Sequence, residues 1–236
     1  MIATRSFCAA RVPHATGIVL ETIVATLAPL AGKPFVEALV ARLTDVLGVS
    51  YAFVAQRARG NPAIANTIAV AHKGGPVADL IYPLEGTPCG DVLTGGVCEM
   101  AEAVQAAFPG DAALVEMHVE SYVGVLLTKD GGGPLGWLAV MHGAPLADTR
   151  RITDLLMALG PRLAVELERM EIERVLTECQ SAMAQRLSEQ TEELEAAQLA
   201  LGRAEAMLRE EGLNPPPRER PGHDERLHDL TIGLAS

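Results

Sequence analysis

The chain has 236 residues, 49% of them hydrophobic and 21% charged, which supplies a core and excludes wholesale disorder. Nineteen Lys and Arg stand against 30 Asp and Glu, a formal charge of −11 that excludes a phosphate-neutralising nucleic-acid binder; aromatics at 3% leave no stacking platform for single strands. The four cysteines (Cys8, Cys89, Cys98 and Cys179) form no CxxC pair and are too few for a disulfide framework, so free thiols in a reducing cytoplasm are expected.

Residues 1–33 read as an N-terminal segment, partly helical. Its apolar run from Gly17 to Ala31 is interrupted by Glu21, Thr22, Thr26 and Pro29, too polar and too short for a membrane span. Arg5 and Arg11 precede this run, but Glu21 and the lack of a small-residue cleavage site argue against a signal peptide. From Pro34 to Leu47, Phe35, Leu39, Leu43, Val46 and Leu47 share one helical face, with proline at the start and Gly48 at the end. Val49 to Arg57 and Ile64 to His72 read as strands around a turn at 59–62, and Ala78 to Leu84 as a third short strand. Residues 86–118 read as irregular, with at least one short helix around Asp111 to His118. Ser121 to Thr128 and Leu135 to His142 are apolar strands joined by a glycine-rich turn at 129–134. The class is α+β, with an antiparallel sheet flanked by helices.

Beyond residue 160 the composition changes. Leu163 to Gly212 holds 12 Glu and 5 Arg and no proline, so this stretch carries most of the negative charge. Leu187, Leu194, Leu201 and Leu208 recur every seven residues, preceded by Leu176 and Met183 at the same interval. The four-residue step from Met183 to Leu187 is a stutter in that heptad. A helix with such a stripe wants a partner, and parallel dimerisation through these leucines is expected. Asn214 and Pro215–Pro217 stop the helix and open a flexible tail, 213–236.

Several segments resemble the GAF domain, a small-molecule-sensing module of bacterial sensor kinases and regulators. Leu84-Glu85-Gly86-Thr87-Pro88-Cys89 and Gly96-Val97-Cys98 are similar to its ligand-loop segment. Phe108-Pro109 with Asp111, and Glu120 through Val125, resemble its run into the next strand, and Gly133-Pro134-Leu135-Gly136 with Leu138-Ala139-Val140 resembles its final hairpin. The resemblance implies a sensory domain over 34–162, then a coiled-coil signalling helix over 163–212. It also implies a ligand site beneath the 84–118 segment, bordered by Cys89, Asp91, Cys98, Glu120 and Tyr122. The ligand and any cofactor are not specified. A histidine kinase or a transcriptional regulator acting in trans is the expected partner, with a non-sensing dimeric adaptor as a further alternative.

Other chemistries leave weaker traces. Free methionine-(R)-sulfoxide reductases share the GAF fold and use cysteines in this loop. Cys89 and Cys98 resemble two of them, but the third thiol expected near 118–121 is missing, so a non-enzyme is expected. Bilin attachment would need a cysteine followed by histidine, and neither loop cysteine has one. The cyclic-nucleotide signature of some relatives is absent. His72, His118 and His142 lie too far apart to suggest a metal site, and Trp137 reads as core. No spacing fixes two of Glu102, Glu116 and Glu120 on one site as an acid pair. His228-Asp229-Leu230 faintly resembles a phospho-acceptor box, and reads more simply as a tail histidine.

Overall fold

A computed structural model describes residues 14–129, 131–210 and 212. The expected tail 213–236, with His228 and the proline run, lies outside the described residues, as do Cys8, Arg5, Arg11 and Asp130. The elements in chain order are α1 (His14–Leu27), α2 (Gly32–Leu47), β1 (Tyr51–Ala58), β2 (Asn61–His72), β3 (Gly75–Val77), β4 (Ile81–Pro83), α3 (Pro88–Gly95) and β5 (Val97–Met100). They continue with α4 (Val104–Ala107), α5 (Ala112–Glu116), β6 (Ser121–Thr128), β7 (Pro134–His142) and α6 (Thr149–Glu210). A compact unit runs through Leu176, and a second begins at Thr177.

Helix α2 buries Phe35, Val36, Leu39, Val40 and Leu43, and ends where Gly48 takes a left-handed conformation, φ 64°, that glycine adopts without a Cβ penalty. The sheet is antiparallel, in the order β3-β2-β1-β7-β6-β5. Of the third strand expected over 78–84 only Ile81–Pro83 forms, as β4, and another short strand, β3, precedes it on the same neighbour. β3 pairs with Val70–His72 and β4 with Ile64–Asn66. Between them Thr67 fills the gap: its hydroxyl accepts from the Leu80 amide at 2.7 Å, and its amide donates to the Leu80 carbonyl at 2.9 Å. The 86–118 stretch is more regular than expected. Thr87 caps α3, accepting from the Gly90 amide at 3.3 Å, with Pro88 in the first turn. β5 then adds an edge strand beside β6.

Alternation along the strands gives the sheet two separate cores. On one face Ala52, Val54, Val123, Val125, Leu138 and Val140 pack against α2 and against Leu155, Leu156, Leu159, Leu163 and Leu167 of α6. On the other, Phe53, Ala55, Tyr122, Trp137, Ala139 and Met141 pack beneath the 84–119 segment through Leu84, Cys89, Val92, Cys98, Val104, Leu114 and Val119. Pro161 lies inside α6 without ending it. Proline has no amide to bond the Met157 carbonyl, and Met157 sits on the exposed side where water can serve that carbonyl.

In the unit beginning at Thr177, Leu187, Leu194, Leu201 and Leu208 are 66%, 59%, 55% and 39% exposed in the single chain. No helix among the described residues is long and apolar enough to cross a membrane.

Candidate functional site

Three expected site residues meet in the core beneath the 84–119 segment. Tyr122 is the second residue of β6 and is fully buried. Its ring lies along its own strand over Gly124, where a Cβ would come within 2.5 Å of the phenol oxygen. Glycine at 124 is therefore what makes room for the tyrosine. Cys98 stands opposite Gly124 in the β5–β6 ladder. Cys89, in the first turn of α3, brings its thiol to 3.4 Å from the Tyr122 hydroxyl, and the Tyr82 hydroxyl donates to the same sulfur at 3.4 Å. Trp137 Nε1 is close enough to Cys89 and Tyr82 to favour their ionised forms, yet it makes no hydrogen bond of normal geometry.

Burial dominates the electrostatics of this group. It pushes the Cys89 thiol up to about 11, against the opposing pull of its hydrogen bonds with Tyr122 and Tyr82 and of the nearby Trp137 Nε1–H. Cys98 is likewise pushed up to about 11 by burial, reinforced by the charge of Asp91. Tyr82 and Tyr122 are raised for the same first cause. Asp111, which caps α5 by accepting from the Ala113 amide at 3.2 Å, is also raised by burial. At neutral pH every member of the Tyr82–Cys89–Tyr122–Cys98 group is protonated and uncharged. The group is rich in donors, with only sulfur and phenol oxygens to accept.

The other two expected residues are placed differently. Asp91 is exposed in the first turn of α3, and its charge reaches Cys98. Glu120 is half-buried and acts on the backbone. Its carboxylate accepts from the Ala103 amide at 2.9 Å, and its carbonyl from the Val104 amide at 3.1 Å, tying α4 to the start of β6. Tyr82 was not anticipated as a member; the only sequence signal for it is its position just before the Leu84–Cys89 segment. Trp137 is core, as expected, with no exposure. Among the described residues, no group of three or more His, Cys, Asp or Glu side chains could hold a metal ion.

No family model matches the chain, and no curated protein does. Solved structures do. The GAF domain of a phosphoenolpyruvate-protein phosphotransferase from Coxiella burnetii is similar with a TM-score of 0.55 and 16% identity, over 68% of this chain and 96% of that one. Free methionine-R-sulfoxide reductase from Neisseria meningitidis, in complex with its substrate, gives 0.52 and 18%, over 73% of this chain and 99% of that one. The phycocyanobilin-bound GAF domain of a cyanobacterial phytochrome gives 0.51 and 15%, over 67% and 96%. The fold of this chain is that of GAF domains: a central antiparallel sheet with flanking helices, continued by a long C-terminal helix.

Proposed function

We propose that this chain is a cytoplasmic ligand-sensing regulator that dimerises through the distal part of α6 and signals to a partner acting in trans. The observation carrying the reading is the row of exposed leucines at 187, 194, 201 and 208 on a helix whose first turns are built into the sensory fold. An apolar stripe at heptad spacing, left in water on a single chain, is the surface a second helix covers. The ligand would be received beneath the 84–119 segment, where Cys89, Cys98 and Tyr122 meet with Asp91 and Glu120 at the margin. Cys89, Cys98 and Tyr122 are buried there, so a ligand would enter by displacing the three short helices above. It would be selected as an acceptor for the donors of Tyr82, Tyr122 and Trp137.

Dimerisation is tested by Leu194→Asp with Leu201→Asp. Burying two carboxylates in a seam is costly, whereas the sheet and its two cores do not involve these residues. Sedimentation should report a monomer with an unchanged thermal transition for residues 34–162, and a persistent dimer would move the interface elsewhere. A native mass spectrum of the purified wild type should show two subunits and any retained ligand together.

A second reading, a thiol-dependent reductase, draws on the placement of Cys89 and Cys98 beside Tyr122. It is disfavoured because thiols pushed up to about 11 hold roughly one part in ten thousand as nucleophilic thiolate at pH 7. Positions 118–121 also offer His, Val, Glu and Ser rather than a third cysteine. Turnover of free methionine sulfoxide with a dithiol reductant, abolished by Cys98→Ser, would reverse the preference.

A further inference from the structure

The sheet forks between β1 and β7. Their ladder runs from Tyr51↔Met141 only as far as Ala55↔Trp137. Beyond that point β1 stays with β2 to Ala58↔Asn61, and β7 stays with β6 to Thr128↔Pro134. The β1–β2 pairing shifts register on either side of this point, between Val54 and Ala55 and between Arg57 and Ala58, and Gly136 passes close to β1. A Cβ at 136 would lie 2.3 Å from the Ala55 carbonyl oxygen. The fork opens a groove of about 200 Å³, room for on the order of six waters.

The lining has two characters. Leu93 of α3, Leu135 of β7 and Leu167 of α6 supply apolar wall, with Trp137 of β7 buried immediately behind it. Arg57, Arg59 and Lys129 supply positive charge, with Glu171 the single carboxylate among the lining residues. Glu171 is already engaged by Arg59 and, at 3.3 Å, by Arg174. Arg57 and Lys129 have no carboxylate within ion-pair distance among the described residues. Two cations with no carboxylate partner among the described residues share one concave site, in a chain where carboxylates outnumber cations 30 to 19.

We infer that this fork is a binding site for a small organic anion: a carboxylate or phosphate group held between Arg57 and Lys129, with a short apolar body against Leu93 and Leu135. Arginine supplies paired planar donors for such an oxyanion and lysine a point charge. The groove lies at the end of the strands and shares Trp137 with the Tyr82–Cys89–Tyr122 group, so the Arg57 and Lys129 variants are what separate binding here from binding of the ligand proposed there. Through Leu167 and Glu171 it borders α6, so occupation would bear directly on that helix's packing against the sheet.

Trp137 is the single tryptophan of the chain and is buried immediately behind the groove wall, so its fluorescence responds to occupation. The full chain would be titrated with hexyl phosphate and with hexanoate, and with inorganic phosphate, acetate and hexylamine for comparison. The expected result is a saturable change for at least one hexyl anion, at a tenfold or greater lower midpoint than its headgroup alone, and none for hexylamine. The two hexyl anions also distinguish a phosphate from a carboxylate as the preferred headgroup. Arg57→Gln with Lys129→Gln should raise the midpoint at least tenfold, and Lys129→Arg should restore much of the loss when Arg57 is intact. Both residues are exposed, and unchanged circular dichroism would verify that the variants fold. An equal response to hexylamine, no saturable response to either hexyl anion, or an unchanged midpoint in the double variant would each overturn the inference.

Discussion

Glu166 is a carboxylate on α6 whose side chain is 3% exposed, and it joins that helix to the start of α2. One oxygen accepts from the Gly32 amide at 2.7 Å, and the other from Arg162 at 2.7 Å. Arg162 in turn lies 5.2 Å over the Phe35 ring. In Glu166→Ala, Gly32 loses a charge-assisted partner at a buried site, which costs about 1.5–3 kcal/mol. Arg162 is half exposed and recovers water, so its share is at most about 1 kcal/mol. The expected total is about 2–4 kcal/mol. Glu166→Gln keeps an acceptor for Gly32 but loses the charge facing Arg162, and should cost about half as much. Arg162→Ala leaves the Gly32 bond in place and should cost least. Urea denaturation would be run in the Leu194→Asp, Leu201→Asp background, so that subunit concentration does not enter the stability. If Glu166→Ala falls within about 0.5 kcal/mol of its parent, or Gln is as harmful as Ala, the carboxylate is not what fastens the two helices.

Thiol titration offers a second check. Because the folded Cys89 is pushed up from 9.0 to about 11, the protonated thiol favours the fold; the contribution is complete below pH 9 and is lost as pH rises towards 11. That rise corresponds to on the order of 3 kcal/mol, and it should vanish from the pH dependence of unfolding in Cys89→Ala. With Ellman's reagent at pH 8, in a Cys8→Ser background, exposed Cys179 should react at once, while Cys89 and Cys98 wait for denaturant; rapid labelling of all three would contradict the packing. Gly124→Ala should displace the Tyr122 ring at a cost of about 1–3 kcal/mol, and Tyr122→Leu should relieve most of it in the double variant. Gly136→Ala meets backbone rather than a side chain, so no neighbouring truncation should rescue it, and the Trp137 emission should shift.

Periodicity carried much of the fold. Phe35, Leu39 and Leu43 fixed α2, and the apolar runs at 121–128 and 135–142 fixed the β6–β7 hairpin, because one long element on one core face writes a regular pattern. The same reasoning missed α3 and β5. At eight and four residues they are too short for a period to emerge, and the clue to α3 was only the Thr87-Pro88 cap. The strand expected over 78–84 is shortened to 81–83 because Thr67 bonds Leu80 through its side chain, which hydropathy does not register. At the site, Cys89, Cys98 and Tyr122 were legible as a neighbourhood through the resemblance of their segments. Their actual meeting depends on Gly124 making room for a ring, and Glu120's engagement with the Ala103 amide depends on a left-handed residue there; neither shows in sequence spacing. The fork was invisible for a related reason, since it arises from where two ladders end.

β7 feeds both cores by turns, giving Trp137, Ala139 and Met141 to one side and Leu138 and Val140 to the other. The strand is therefore a shared ledger of volumes: large, small and medium beneath the 84–119 segment, two branched aliphatics toward α6. A slip of one residue would drive the indole into a layer already filled by Leu155 and Leu159 and leave a void beside Tyr122. Such a frame cannot be edited by insertion or deletion in β7, whatever the change in composition. Length variation among chains built on this plan should instead collect in the glycine-rich 129–133 turn, where added residues disturb neither inventory.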